Sequence, residues 1–199
     1  MIYDISIPLS EKTEVYPGDR PFVLCKDSSL ATGGDFELSS FEMSAHAGTH
    51  IDAPCHFCRG GLTIDQIPLD IFFGPAIVID CQSANQQINA DQLSDSLQQP
   101  HSRILLKTMA EDKYLTSDAV DLIISSGCKL IGIDQLCLDN PSDSSFPVHH
   151  ALLSAGVIIL ECINLNEVPA GRYIYQGAPL NITNAEAAPL RPILISEPK

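Results

Sequence analysis

The sequence predicts an α/β protein, because short apolar segments with the pattern of strands alternate with short helical segments. A chain of 199 residues is long enough to bury one hydrophobic core without disulfides or a structural metal. No Ser/Gly-rich linker, charge run or internal repeat divides the sequence. We therefore expect a single domain that spans residues 1–199.

The first third of the chain is rich in strand signals. YDISI (3–7) alternates in the manner of a strand, and YPGD (16–19) is a turn built on Pro-Gly. FELSSFEMSAH (36–46) has the pattern of a long strand, and AIVID (76–80) that of a short buried strand. This part of the chain is expected to share its core with the segments that follow.

The rest of the chain alternates helices with strands. NADQLSDSL (89–97) predicts a helix, because Asn89 and Gln92 form a capping-box pattern. TSDAVDLIISSG (116–127) predicts a helix that ends at a glycine, and PVHHALLSAG (147–156) one with proline in its first turn. The predicted strands are RILLKT (103–108), KLIGID (129–134), VIILE (157–161), RYIYQG (172–177) and RPILIS (191–196).

Composition excludes several classes of partner. A net charge of −14 argues against nucleic acid and anionic membranes, whose surfaces attract Lys and Arg. No apolar run approaches the ~20 residues that cross a bilayer, and MIYDISIPLS lacks the pattern of a signal peptide. The seven cysteines are an odd number, which fits free thiols in a reducing compartment. We therefore expect a cytoplasmic protein.

HAGTHIDAPCHF (46–57) contains three of the six histidines and one carboxylate. If residues 44–52 are extended, His46, Gly48, His50 and Asp52 share one face, with the glycine leaving an open slot between the imidazoles. Two imidazoles and a carboxylate are a competent ligand set for a divalent metal. Lone histidines are usually surface or core residues, but so many ligand types in one short segment favour a metal site.

A second group of metal-capable residues lies in FPVHHALLSAGVIILE (146–161). His149 or His150 lies on a short helix, and Glu161 ends an apolar strand, where a carboxylate is costly to bury without a partner. Taken alone, this group would be interpreted as side chains that face solvent. Together with the first motif, it favours one metal site to which both segments contribute. Asp134, which ends LIGI, either orients a ligand imidazole or caps a turn or helix.

Cys55 and Cys58 form a CxxC pair, but its context is weak. A structural zinc site would need a second Cys or His pair, and none follows. A redox pair would be expected after a strand and at the start of a helix, whereas Arg-Gly-Gly comes next. Both cysteines are interpreted as ordinary thiols near the chemistry but outside it.

HAGTHIDAPCHF resembles the signature of the cyclase family of metal-dependent hydrolases, which includes the bacterial kynurenine formamidases (arylformamidases). The similarity covers nearly the whole chain, in YDISIPLSEKTEVYPGD, GGLTIDQIPLDIFFGPAIVID, RILLKT, LIGIDQLCLD and FPVHHALLSAGVIILECINL. The resemblance implies one compact α/β domain of the swivelling β/β/α type, with a mixed, partly barrel-like sheet and short flanking helices. It also implies a homodimer or homotetramer.

The resemblance assigns roles to the residues of the first motif. His46, His50 and Asp52 match the ligands of one metal ion, and Asp52 is able to bridge to a second ion. His56 matches the residue that accepts and donates a proton. The implied cofactor is one or two divalent ions, Zn²⁺ or Mn²⁺, since both accept imidazole and carboxylate ligands.

The second group of residues matches the family in the same way. His149 stands twelve residues before Glu161, as the family pattern requires, so it matches a ligand of the second ion better than His150 does. Glu161 matches the carboxylate ligand of that ion. One departure is Cys137, where relatives often have serine. Another is the lack of Trp, so an aromatic substrate would depend on Phe and Tyr contacts.

These observations together predict a metal-dependent hydrolase that acts on an amide, formamide, ester or lactam bond of a small molecule. Metal-activated water is the expected nucleophile and His56 the general acid and base. One alternative is a non-catalytic protein that binds a metal or small molecule, and another is a metal-dependent cyclase or lyase on the same scaffold. Redox activity of the CxxC pair ranks last.

Overall fold

In a computed structural model of the protein, residues 1–110 and 112–196 are described, and they form thirteen strands and three α-helices. The strands are β1 Ile2–Asp4, β2 Val23–Ser28, β3 Leu38–Glu42, β4 His50–Asp52, β5 Phe73–Asp80, β6 Gln87–Ile88, β7 Arg103–Lys107, β8 Tyr114–Leu115, β9 Leu130–Ile133, β10 Ile158–Glu161, β11 Gly171–Gln176, β12 Ala187–Pro189 and β13 Ile193–Ser196. The helices are α1 Ala90–Ser94, α2 Ser117–Ser125 and α3 Pro147–Ser154, and short 3-10 turns occur at Leu30–Thr32, Pro54–His56, Ile64–Gln66 and Leu69–Phe72.

Nine of the strands form one mixed sheet that curls into a half-barrel, in the order β1-β13-β11-β5-β7-β9-β10-β4-β12. The central strands β5, β7, β9 and β10 are parallel, and the strands on both flanks are antiparallel. The parallel centre follows from the alternation of strand and helix in the middle of the sequence, since parallel strands need crossover connections. The predicted α/β class and the implied partly barrel-like sheet are confirmed.

The sheet separates two hydrophobic clusters, because successive side chains of a strand point to opposite faces. On β7, Ile104 and Leu106 join the cluster that also contains residues of α1, α2 and α3. Leu105 points the other way and packs with buried tyrosines such as Tyr175. The strands predicted as apolar runs are therefore buried on both faces.

The three helices begin where the sequence predicts, although they are shorter than predicted. Asn89 caps α1 through the predicted capping box, in which the Gln92 side chain accepts a hydrogen bond from the Asn89 backbone N–H. Pro147 is the first residue of α3. No helix among the described residues is long and apolar enough to span a membrane.

The prediction that residues 44–52 are extended is wrong. Strand β3 ends at Glu42, His46 lies in a turn, and β4 begins only at His50. Gly48 leaves no open slot between the imidazoles: it has a φ of +72°, and a Cβ at this position would lie 2.6 Å from Leu9 Cδ2. The left-handed backbone therefore favours glycine here, and any larger residue would also have to displace the Leu9 side chain.

Strands β2, β6, β8 and β12 have no counterpart in the sequence prediction. The longest of them, β2, pairs with β3 as a separate two-stranded hairpin outside the main sheet. Almost every residue of this hairpin is exposed, whichever face it occupies. Its second strand, β3, lies within the strand predicted at 36–46, whereas β2 was missed, since a strand without a buried face needs no alternation of apolar and polar residues.

Candidate metal centre

The pairing of β4 with β10 brings the first ligand candidates together. In this antiparallel pair, His50 lies opposite Glu161, and Asp52 lies opposite Ile159. Residues directly opposite each other, and residues two apart on one strand, project from the same face of a sheet. His50, Asp52 and Glu161 therefore share one face. Ile159 lies on that face too, and it belongs to the hydrophobic cluster that contains the helices, so the helices cover this face.

Helix α3 adds an imidazole from above this face. The His149 side chain is buried, with Nε2 3.5 Å from Asp52 Oδ2 and 3.4 Å from Glu161 Oε1. His150, the next residue on the helix, is exposed. The two groups of residues that lie about a hundred positions apart in the sequence therefore meet at one point in the fold.

Hydrogen bonds fix which nitrogen of each imidazole faces the carboxylates. His50 Nδ1 lies 2.8 Å from the Gly48 carbonyl oxygen, and His149 Nδ1 lies 2.6 Å from a carboxylate oxygen of Asp139. Since both oxygens only accept, the neutral form of each ring carries its proton on Nδ1 and directs the Nε2 lone pair at the carboxylates. In this neutral form, the Nε2 lone pairs and the carboxylate oxygens face one another as hydrogen-bond acceptors with no donor between them.

Three of these buried acceptors have no hydrogen-bond partner: His50 Nε2, Asp52 Oδ1 and Glu161 Oε1. No Lys or Arg among residues 1–110 and 112–196 forms an ion pair with Asp52 or Glu161, so no basic side chain neutralises these carboxylates. Unpaired buried charges of this kind are costly, so the cluster requires a cation or bound protons. The donor set of imidazole nitrogens and carboxylate oxygens fits a divalent metal ion.

His46 and His56 lie on the open side of the same cluster. The turn before β4 brings His46 Nδ1 within 3.0 Å of Asp52 Oδ1, while His46 Nε2 is 3.4 Å from Glu186 Oε1. The rings of His46 and His56 have centroids 4.4 Å apart. The structure thus brings together the six predicted site residues, His46, His50, Asp52, His56, His149 and Glu161. Glu186 joins them, and no sequence signal indicated it.

The possible ligand atoms form sets that overlap. His50, Asp52 and Glu161 each offer an atom within 4.8 Å of the others, and the same holds for His46, Asp52 and His56. A set formed by Cys137, His149 and Glu161 meets the same limit. Because the sets share Asp52 and Glu161, the geometry is compatible with two ions side by side and does not exclude His56 as a ligand.

Asp139 orients His149 and was not singled out by sequence reasoning. Its carboxylate is buried and accepts hydrogen bonds from His149 Nδ1 and from the backbone N–H groups of Val148 and His149. It thereby substitutes for a side-chain cap, which Phe146 does not supply at the start of α3. The loop before α3 also contains Asp143, so the sequence carries no signal that singles out Asp139.

Asp134 has a different role from Asp139. Its two carboxylate oxygens accept from the backbone N–H groups of Thr108 and Met109 and from the Thr108 hydroxyl. Of the two roles left open by the sequence, the structure therefore places Asp134 as a turn cap after β7.

Asp139→Asn is expected to weaken metal binding by about 10–100-fold, because it removes the carboxylate that fixes the tautomer and orientation of His149. Asp134→Asn is the matched control, since its carboxylate contacts no ligand candidate, and it should leave the affinity unchanged. Competition titration of each protein against a chromophoric chelator measures the affinities. Equal affinities in the two variants would contradict the orienting role.

The charges of the cluster shift the pKa values of its members in the metal-free protein. Burial opposes the charged forms of His50 and His149. For His50, the carboxylates of Asp52 and Glu161 outweigh burial and raise the pKa. For His149, the hydrogen bond to Asp139, together with those two carboxylates, raises the pKa. Burial likewise opposes ionised Asp52, but the neighbouring imidazoles hold its pKa well below the usual range. Burial lowers the pKa of His56, so this ring is neutral near neutral pH.

Zinc binding by the metal-free protein is expected to release protons and to weaken as the pH falls. Protonated His50 and His149 stabilise the metal-free cluster below their unfolded pKa, and this contribution is lost as the pH rises through their raised folded pKa values. Zinc must displace those protons, so its apparent affinity should fall roughly tenfold per pH unit for each one. Calorimetry in two buffers of different ionisation enthalpy measures the released protons, and a pH-independent affinity would contradict the expectation.

The two cysteines of the CxxC pair point away from the cluster. The Cys55 thiol lies 3.8 Å from the Ala185 carbonyl oxygen, and Cys58 Sγ lies 3.3 Å from the Ser154 hydroxyl. Burial raises the pKa of Cys55, which is the opposite of the lowered pKa of a reactive redox thiol. Neither cysteine belongs to a group of metal-capable residues found in the described part of the chain.

Comparison with known proteins agrees with the motif. Residues 3–140 match the family described as "Putative cyclase". A solved structure described as a "Potential Metal-Dependent Hydrolase With Cyclase Activity" is 32% identical, with 100% of this chain and 99% of that chain covered and a TM-score of 0.85. A "predicted metal-dependent hydrolase" from Bacillus stearothermophilus is also 32% identical, with 98% and 97% covered and a TM-score of 0.84.

A more distant structure shows the same fold. Isatin hydrolase A from Labrenzia aggregata is 23% identical, covers 99% of this chain and 94% of its own, and has a TM-score of 0.87. The family model spans well over half of the sequence, and the similarity of fold extends over all of it. The chain therefore belongs to the cyclase family that the HAGTHIDAPCHF motif indicates.

Proposed function

We propose that this protein is a metal-dependent hydrolase that cleaves a carbon–nitrogen bond of a small amide, formamide or lactam, with esters as further substrates. The observation that carries the proposal is the set of buried acceptors without partners, His50 Nε2, Asp52 Oδ1 and Glu161 Oε1, which meet on one face of the sheet. When bound there, a divalent ion supplies a more acidic water and polarises the substrate carbonyl. We propose Zn²⁺ or Mn²⁺ for this ion.

The proposed roles of the histidines follow from their surroundings. His50 and His149 have one nitrogen occupied by a hydrogen bond, so each offers only Nε2 and serves as a ligand. His56 is half-buried, lines the cavity beside the ligands, and is neutral near neutral pH because burial lowers its pKa. His56 is therefore suited to take a proton from the attacking water and to return it to the leaving nitrogen.

The cavity in front of the ligands supports a flat, apolar substrate group. It has a volume of about 230 Å³, and Tyr16, Phe57 and Phe146 form an aromatic wall on one side. The ring centroids of Phe57 and Phe146 are 5.4 Å apart, and those of Tyr16 and Phe146 are 6.2 Å apart. Aromatic rings favour planar partners, so an amide carried on an aryl group, as in arylformamidase substrates, is the proposed class.

The test is a panel of N-formylkynurenine, isatin, a simple aryl amide and an aryl ester, assayed before and after metal removal. We expect turnover of at least one amide, its loss on chelation, and its return with zinc or manganese. The products together should weigh one water more than the substrate, as an acid plus an amine or alcohol, or as one ring-opened acid from a lactam; a cyclase or lyase would give different products. Full metal loading with no turnover of any panel member would favour the non-catalytic alternative.

We also propose that the protein is a homo-oligomer, formed when the β2–β3 hairpin of one copy packs against a second copy. Both faces of this hairpin are solvent-exposed, and its exposed apolar side chains include Val23, Leu24, Leu38 and Phe41. A two-stranded hairpin on its own is marginally stable at best in water, so this one needs a partner surface. A second copy provides that surface by symmetry.

Phe41→Glu is expected to shift the protein to monomer, because it places a charge in the centre of the proposed contact. Phe41 is 58% exposed and stacks on Phe22, so the change disturbs little within one copy. Leu69→Glu, at a residue 68% exposed outside the hairpin, is the control and should keep the native assembly. Sedimentation velocity measures the molecular mass of the wild type and of both variants. A monomeric wild type would contradict the proposal.

A further inference from the structure

Cys137 lines the cavity in front of the cluster, in a set of possible ligands that does not include His46. It follows β9 in the loop that leads to α3, and it lines the cavity together with His149 and Glu161. Its sulfur, a nitrogen of His149 and an oxygen of Glu161 all lie within 4.8 Å of one another. The hydrolase proposal above uses the imidazole and the carboxylate of this set but gives the sulfur no role.

Two observations indicate that a cation would be held beside this sulfur. The Asp139 backbone N–H donates a hydrogen bond to Cys137 Sγ at 3.4 Å, so the sulfur already acts as an acceptor. Glu161 Oε1, a second atom of the same set, is buried without a hydrogen-bond partner, and its side chain is only 5% exposed. An acceptor sulfur in the loop after β9 and an unpaired carboxylate oxygen at the end of β10 thus face the same point.

We propose that Cys137 is a thiolate ligand of a metal ion held by His149 and Glu161, and that this sulfur makes the site selective for zinc over manganese. The proposal rests on the metal centre of the proposed function. On binding, the sulfur–metal bond forms as the thiol proton leaves to solvent, with no change of oxidation state.

The selectivity follows from ligand chemistry. Imidazole and carboxylate groups serve zinc and manganese alike, so His149 and Glu161 alone do not separate the two ions. A thiolate is a soft ligand that binds zinc well, whereas manganese prefers oxygen donors. With Cys137, His149 and Glu161, plus the nearby Asp52 carboxylate, the set reaches the four donors that zinc usually takes.

Cobalt(II) reports the sulfur directly, because thiolate coordination gives an intense charge-transfer band in the near ultraviolet. The metal-free protein is loaded with cobalt(II) alone, as wild type, Cys137→Ser and Cys55→Ser. Serine keeps the shape but replaces sulfur with a hard oxygen, and Cys55 is the control cysteine from the histidine motif, outside the ligand sets. We expect the band in wild type and Cys55→Ser and its absence in Cys137→Ser.

The zinc affinity of Cys137→Ser should also fall by at least about tenfold while its manganese affinity is unchanged. A band that persists in Cys137→Ser, or a wild type that shows the weak visible bands of bound cobalt without charge transfer, would overturn the proposal and leave the metal centre standing. Failure of cobalt, zinc and manganese to bind at all would overturn both.

X-ray absorption of the zinc-loaded wild type makes the test independent of how the variants fold. A sulfur scatterer at about 2.3 Å supports the proposal, and a shell of only nitrogen and oxygen at about 2.0–2.2 Å overturns it.

Discussion

His56→Asn is expected to slow hydrolysis by about 10²- to 10⁴-fold while the bound metal stays in place. Asparagine keeps a polar side chain in the cavity but cannot accept and return a proton near neutral pH. The pKa of His56 is lowered by burial, so the wild-type ring is a free base when substrate arrives. Steady-state kinetics on the best panel substrate, with metal content measured on the same samples, gives both numbers.

The matched control for this variant is His150→Asn. His150 is exposed and its ring packs at 5.0 Å from Phe57, so it is close to His56 without belonging to the cluster. We expect it to keep both metal and activity. Because a His56 nitrogen lies within 4.8 Å of the ligand atoms of His46 and Asp52, loss of metal in His56→Asn would identify this residue as a ligand and contradict the proton-transfer role.

Asp52→Asn is expected to abolish metal binding and to reduce turnover to background. Its two carboxylate oxygens face His46, His50 and His149, all within 3.5 Å, and no other side chain in the described part of the chain contacts all three rings. Replacing one of these oxygens by an amide NH2 and removing the negative charge should cost more than the roughly 10- to 100-fold effect expected for Asp139→Asn, since Asp139 only orients a ligand. Metal analysis and kinetics measure the two effects.

The same variant should also destabilise the metal-free protein. At neutral pH it removes a buried carboxylate that faces both protonated His50 and protonated His149, and breaking a buried ion pair in this way costs about 3–5 kcal/mol. Urea unfolding of metal-free wild type and Asp52→Asn measures the difference. The penalty should shrink as the pH rises through the raised pKa values of the imidazoles, since neutral rings need no counter-ion. Wild-type metal content in Asp52→Asn would contradict the central place of this carboxylate.

The local part of the site could be predicted from the sequence. His50 and Asp52 are two residues apart on β4 and share a face, as strand periodicity requires. The costly burial of Glu161 indicated a partner, and the structure places it opposite His50 across the sheet. His46 also reaches the site, although the extended segment predicted for it does not exist, because the left-handed Gly48 turns the chain back toward Asp52.

The tertiary part of the site could not be predicted. Asp139 contacts His149 from a loop whose path depends on how α3 packs on β10, and no spacing rule connects the two residues. Glu186 meets His46 because β12 pairs with β4, a pairing between distant segments of the chain. Strand β2 of the exposed hairpin was missed for a related reason: a strand that buries nothing within one copy needs no periodic pattern.

The most direct test of the metal centre is metal content by mass spectrometry on protein purified without an affinity tag, as wild type and His50→Ala. The substrate panel is assayed on the same samples. We expect wild-type protein to contain stoichiometric divalent metal and to hydrolyse at least one amide, and His50→Ala to lose both. Protein that binds no metal, even after reconstitution with zinc and manganese, would contradict the assignment of HAGTHID and its buried carboxylates as a metal centre.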